Sequence, residues 1–160
     1  MDSDQENELR NRLVQHLKGG NAFTPVDKLI EKMPFHQLGI VPEGLPYSFY
    51  QLFYHIWHAQ HDILTYCLSD DYQAPEWPDD YWPGKTAPEN EREWQQLVSR
   101  YFNDREALSD LIQDVSNDLL RAFLQNPNHN LFREVQLVIE HTAYHIGQLY
   151  VIYRLLKNKQ

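Results

Sequence analysis

The chain has 160 residues, 42% of them hydrophobic and 23% charged, an ordinary globular balance that suits one domain and excludes a disordered or collagen-like polymer. Lys and Arg number 14 against 23 Asp and Glu, a formal charge of −9 with no local basic patch, which speaks against a nucleic acid or an anionic membrane surface as partner. The lone Cys67 excludes an internal disulfide and a Cys-rich zinc site. No apolar run approaches the ~18 residues of a membrane span, and the acidic start Met1–Glu6 is unlike a secretory leader, so the expected location is the cytoplasm.

The pattern reads as helical throughout, with no sustained period-2 alternation. Leu9, Leu13, Val14 and Leu17 place a helix over residues 3–18, ended by Gly19-Gly20. Thr24-Pro25 reads as an N-cap followed by proline at the first helical position, opening a short helix to about Met33 that Pro34 stops. Gly39, Pro42, Gly44 and Pro46 make residues 35–47 an ordered loop, and Ser48 caps a helix running to about Leu68. Residues 69–88 form a second long connection, rich in proline and carrying Tyr72, Trp77, Tyr81 and Trp82. Two tryptophans do not belong in a solvated linker, so this loop is expected to pack on the helices. Helical spacing from Trp94 through Tyr101, Leu108, Ile112, Val115 and Leu119 predicts a helix over 89–124, broken by the Pro127 segment. The last helix is read over 131–157, with Lys157 and Lys159 at its negative end. Four principal helices joined by two long connections predict an all-α four-helix bundle with crossover loops.

Eight histidines stand out, five of them in two tight groups. His141 and His145 are four residues apart on the last helix, which separates their directions by about 40° and their heights by about 6 Å, so both can point at one ion. Val138, Ile152 and Leu155 share their stripe, which turns the pair toward the core. Burying two adjacent imidazoles without partners is costly, and a shared metal removes that cost. A His-x-x-x-His pair alone is a weak signal, and Thr142 stands where a His-Glu-x-x-His protease would carry its glutamate. The second group strengthens it. His55 lies within the apolar face marked by Leu52, Ile56, Ala59 and Ile63, His58 lies at its edge, and His61 turns toward solvent or a loop. His55 is therefore the third ligand and His58 the reserve, giving a three-imidazole site with positions left for water or substrate. The blander alternative is that His55 is a core histidine bonded to a neighbour.

Among other polar residues, Glu134 reads as structural, Gln148 as a group that orients a ligand or water, and Tyr144 as packing. Cys67, some 18 Å of helical rise from His55, reads as an inert buried thiol. His16, His36 and His129 have no partner spacing and are read as surface or loop residues.

Leu52-Phe53-Tyr54-His55-Ile56, together with His141-Thr142-Ala143-Tyr144-His145-Ile146-Gly147-Gln148-Leu149, resembles the DinB-like (DinB/YfiT) superfamily. Lys18–Ala22, Glu43–Ser48 and the loop Pro75-Glu76-Trp77-Pro78-Asp79-Asp80-Tyr81-Trp82-Pro83 extend the resemblance over nearly the whole chain. It implies a metal-binding four-helix bundle in up-down-down-up order, frequent homodimers, and a divalent ion, zinc or nickel, on His55, His141 and His145. Where many relatives carry Gly-Gly-x-Ala-His, Phe23 replaces the histidine and any role for it is absent here. Characterised relatives include thiol-dependent S-transferases and a mycothiol-dependent maleylpyruvate isomerase, and others are classed as hydrolases by inference. The expectation is a metal-dependent enzyme acting on a small-molecule substrate, by transfer from a low-molecular-weight thiol or, second, by metal-assisted hydrolysis. A bundle that binds metal or a small molecule without turnover is the competing reading.

Overall fold

In the computed structural model, residues 2–19 and 21–157 are described; Gly20 and Lys159, both invoked above, lie outside them. The described residues form five α-helices and no strand: α1 (Ser3–Lys18), α2 (Val26–Ile30), α3 (Phe49–Leu68), α4 (Glu91–Gln113) and α5 (Leu131–Lys157). Short 3-10 turns occur at Phe35–Gln37 and Asp79–Tyr81. No helix among the described residues is long and apolar enough to cross a membrane.

Local chemistry sets most boundaries. Asp2 and Ser48 each form a capping box, with Gln5 and Gln51 reaching back to the capping residue, which satisfies two of the free amides at each helix start. Gly19 closes α1 at φ +81°, a conformation that favours glycine. Three expectations need correction here. Thr24 does not cap α2: Pro25 occupies that position without a side-chain hydrogen bond, and the helix ends at Ile30 rather than near Met33. The longer discrepancy is α4, which stops at Gln113 and not near Leu124.

Two effects end α4 early. The carboxylates of Asp114 and Asp118 accept from the amides of Ser116 and Leu120, forming local turns that compete with helix. Across the interface, the Arg10 guanidinium, only 1% exposed, donates to the carbonyls of Ile112 (2.6 Å), Asp114 (3.2 Å) and Asn117 (2.8 Å) while pairing with Glu6. Carbonyls that a continuing helix would bond internally are thus held by a side chain from α1. Leu119 stays buried in the irregular segment, whereas Val115 and Leu124, counted as helical, are exposed.

The four long helices contact one another in a ring, α1 beside α4 and α5, and α3 beside α4 and α5. Arg10 and Asn11 meet the end of α4 while Lys18 meets Arg105 and Glu106, so these two helices are antiparallel. Tyr50 bonds Glu93 and Trp57 bonds Asp104, so α3 and α4 run the same way. His55 meets His141 whereas Tyr66 meets His129, so α3 and α5 run opposite ways. The core divides along this axis. One cluster is aromatic, with Phe53 edge-on to Trp94 at 5.1 Å; the other is aliphatic, built from Leu13, Leu64, Leu108, Ile112 and Val135.

The connection over 69–88 packs on α3, as its aromatics require. The Tyr72 and Tyr81 hydroxyls each donate to one oxygen of Asp62 at 2.5 Å, and Trp82 is partly buried against the aromatic cluster. Trp77 departs from the expectation, being 67% exposed. Gly39 fixes where the two long loops meet, because a Cβ there would stand 2.3 Å from that of Ala87.

Candidate metal centre

α3 and α5 carry the three histidines to one place. His55, His141 and His145 present ring nitrogens that all lie within 4.8 Å of one another, an arrangement that could hold a metal ion. His55 and His145 are buried and His141 is partly so. The Nε2 atoms of His55 and His141 are 3.1 Å apart. Two nitrogens at that separation share either a proton or a cation, and ligands of a tetrahedral zinc stand about 3.4 Å apart.

The opposite ring nitrogens explain the orientation. A carbonyl only accepts, so the contact of His55 Nδ1 with the Tyr81 carbonyl at 3.3 Å places the proton on Nδ1 and the lone pair on Nε2. His145 Nδ1 likewise donates to Gln148 Oε1 at 2.6 Å, freeing its Nε2. Trp82 lies flat on the His55 ring, 4.3 Å away with 2° between planes, and limits its rotation. Such outer partners are what fix a ligating imidazole in tautomer and direction.

Electrostatics keeps the cluster neutral. Burial, with the neighbouring His145, holds the His55 imidazole down at about 4. Burial, then His145 and His55, hold His141 at about 3. Burial lowers His145 as well, opposed by its bond to Gln148. Three neutral imidazoles at pH 7 offer three lone pairs, the protonation state a cation needs.

The remaining sequence candidates fall outside the cluster. His58 is not in it: the ring packs 4.9 Å from Tyr81 and its Nδ1 is buried without a hydrogen-bond partner. His61 faces outward, as expected, and meets Asp104 at 3.0 Å. His16 and His36 are exposed, whereas His129, in the connection before α5, meets Tyr66 at 3.0 Å and the buried Glu134 at 3.4 Å. Glu134 also pairs with Arg133, which gives it the structural role expected. Burial and Glu134 push the Cys67 thiol up to about 12, so it is inert. Two readings of the α5 stripe change: Leu155 is 40% exposed, and Tyr144, read as packing, is 66% exposed with its ring 4.8 Å from that of His145. Sequence reasoning missed Tyr81 as an outer partner, since a backbone carbonyl carries no side-chain signature.

An all-helical chain with three converging histidines is the class of protein that this fold and cluster define. The model of the DinB superfamily matches residues 24–149, a span that includes all three histidines, and the chain belongs to that superfamily. No curated protein and no solved structure matches the chain.

Proposed function

We propose that the protein is a metal-dependent enzyme whose divalent ion, zinc or nickel, is held by His55, His141 and His145, and that it transfers a group between a low-molecular-weight thiol and a small electrophile. The observation that carries this reading is the meeting of three imidazoles, two of them fixed from behind by Tyr81 and Gln148. A bound divalent ion supplies Lewis acidity that favours a thiolate at neutral pH. The protein's own part is to hold the ring nitrogens inward, to keep them unprotonated by burial, and to shield His55 with Trp82.

The donor set speaks against one hydrolytic route, that of the proteases. Hydrolysis of the protease type uses a carboxylate base beside the ion; here the group contains histidines alone, Thr142 occupies the glutamate's position, and Glu134 is engaged by Arg133 and His129. A thiol ionises on a metal without such a base, but so does water on a three-histidine zinc, and the preference for a thiol rests on the family resemblance. The helix pairings support the up-down-down-up four-helix bundle as the scaffold, formed as one domain. A cytoplasmic homodimer completes the reading, resting on composition and on the family resemblance. Sedimentation that returns a monomer removes the dimer.

The test is metal analysis of untagged protein followed by two substrate screens, one pairing low-molecular-weight thiols with electrophiles, the other offering esters and amides. Thiol-dependent turnover that disappears on chelation and returns with metal supports the proposal. Turnover of esters alone replaces it with hydrolysis, and bound metal with no turnover in either screen leaves a binding module.

A further inference from the structure

The two large aromatic side chains left exposed at the histidine cluster come from different elements and lie against different histidines. Trp77, from the 69–88 connection, is 67% exposed with its ring 6.1 Å from that of His55. Tyr144, on α5, is 66% exposed with its ring 4.8 Å from that of His145. The two histidine rings are themselves 4.8 Å apart. Behind them Trp82 stacks on His55 and Tyr47 stacks on Trp82 at 5.5 Å, and burial, then the Tyr144 phenol, raises the pKa of Tyr47. Single exposed apolar residues need no explanation, but two aromatic rings flanking a convergent polar cluster are the usual make-up of a small-molecule site.

We infer that Trp77 and Tyr144 grip a flat aromatic group on the substrate thiol whose sulfur sits at the histidine cluster, and so set specificity for aryl-bearing over short polar thiols. This rests on the thiol reading above. Neither ring carries the core: Trp77 otherwise packs on Tyr81 at 5.0 Å, and the Tyr144 side chain points outward from α5. Their removal is therefore expected to leave the helices and the histidines in place.

The experiment uses the full chain loaded with Co2+ under anaerobic conditions, titrated with phenylmethanethiol or 2-mercaptoethanol, two thiols of similar acidity. The sulfur-to-cobalt absorption band reports binding, and the thiol proton passes to buffer. The expected result is tighter binding of phenylmethanethiol. Trp77→Ala and Tyr144→Ala should each weaken it about fivefold, change 2-mercaptoethanol less than about twofold, and leave Co2+ affinity unaltered; Trp77→Phe should restore most of the loss. Equal affinity for the two thiols overturns the inference, as does a parallel loss for both thiols in the variants, which would mean that the rings shape the cluster and not the specificity. Failure of the unaltered protein to take up Co2+ appears before any thiol is added, and it overturns the metal reading and the inference together.

Discussion

The α3–α5 interface contains two polar clusters at different levels, each with a buried member, and they are built on opposite principles. Toward the start of α5, Glu134 is satisfied by Arg133 and His129, and His129 in turn meets Tyr66. Every charge there has its counter-charge or hydrogen-bond partner, as Arg10 has where α1 meets the end of α4. Toward the middle of α5, three groups of one kind face each other with no carboxylate among them, and burial drives them neutral. The first arrangement stabilises a fold by pairing. The second brings ring nitrogens together without a counter-charge, the arrangement that suits a cation.

The comparison breaks most sharply at Arg10. Arg10→Ala strips partners from three carbonyls and from Glu6, and should lower unfolding free energy by about 2–4 kcal/mol in urea titration while leaving metal affinity unchanged. A loss of metal affinity of the same order would mean that the two ends are not independent. Gln148→Leu acts the other way round. It leaves His145 Nδ1 without its acceptor, so metal affinity by competitive chelation should fall about tenfold or more, while metal-free stability falls less than in Arg10→Ala. Smallest is the pH response of the metal-free chain. The three histidine pKa values are lowered in the fold, so below the ordinary value near 6.5 the unfolded chain binds protons that the folded one refuses. Stability present at pH 7 should therefore decline as pH falls toward 5, and His141→Gln should decline less. A flat profile in both, followed by urea midpoints, would show that the rings are already solvated.

Much of this molecule was readable because its signals are local. Ser48 and Gln51 stand three residues apart, and α3 begins after Ser48 and ends at Leu68 as read. His141 and His145 share a face by helical arithmetic, and the apolar neighbours of His55 picked it over His58 as their partner. What escaped depended on distant or backbone atoms. The stop of α4 is written partly in Arg10, about a hundred residues earlier, and an apolar stripe running on through Val115 and Leu119 hid it. The Asp114–Asp118 turn residues were a usable local signal that the stripe outweighed. Tyr81 reaches His55 through its carbonyl, an atom common to every residue. The exposure of Trp77 was equally hidden, since composition marks the loop as packed without saying which ring faces out.

The most direct measurement is metal stoichiometry by elemental analysis of the untagged protein and of His55→Ala, His141→Ala and His145→Ala, each checked for native helicity. One equivalent of a divalent transition metal in the parent, and affinity lowered at least about a hundredfold in every variant, is the predicted result. Full occupancy in any one of the three contradicts it.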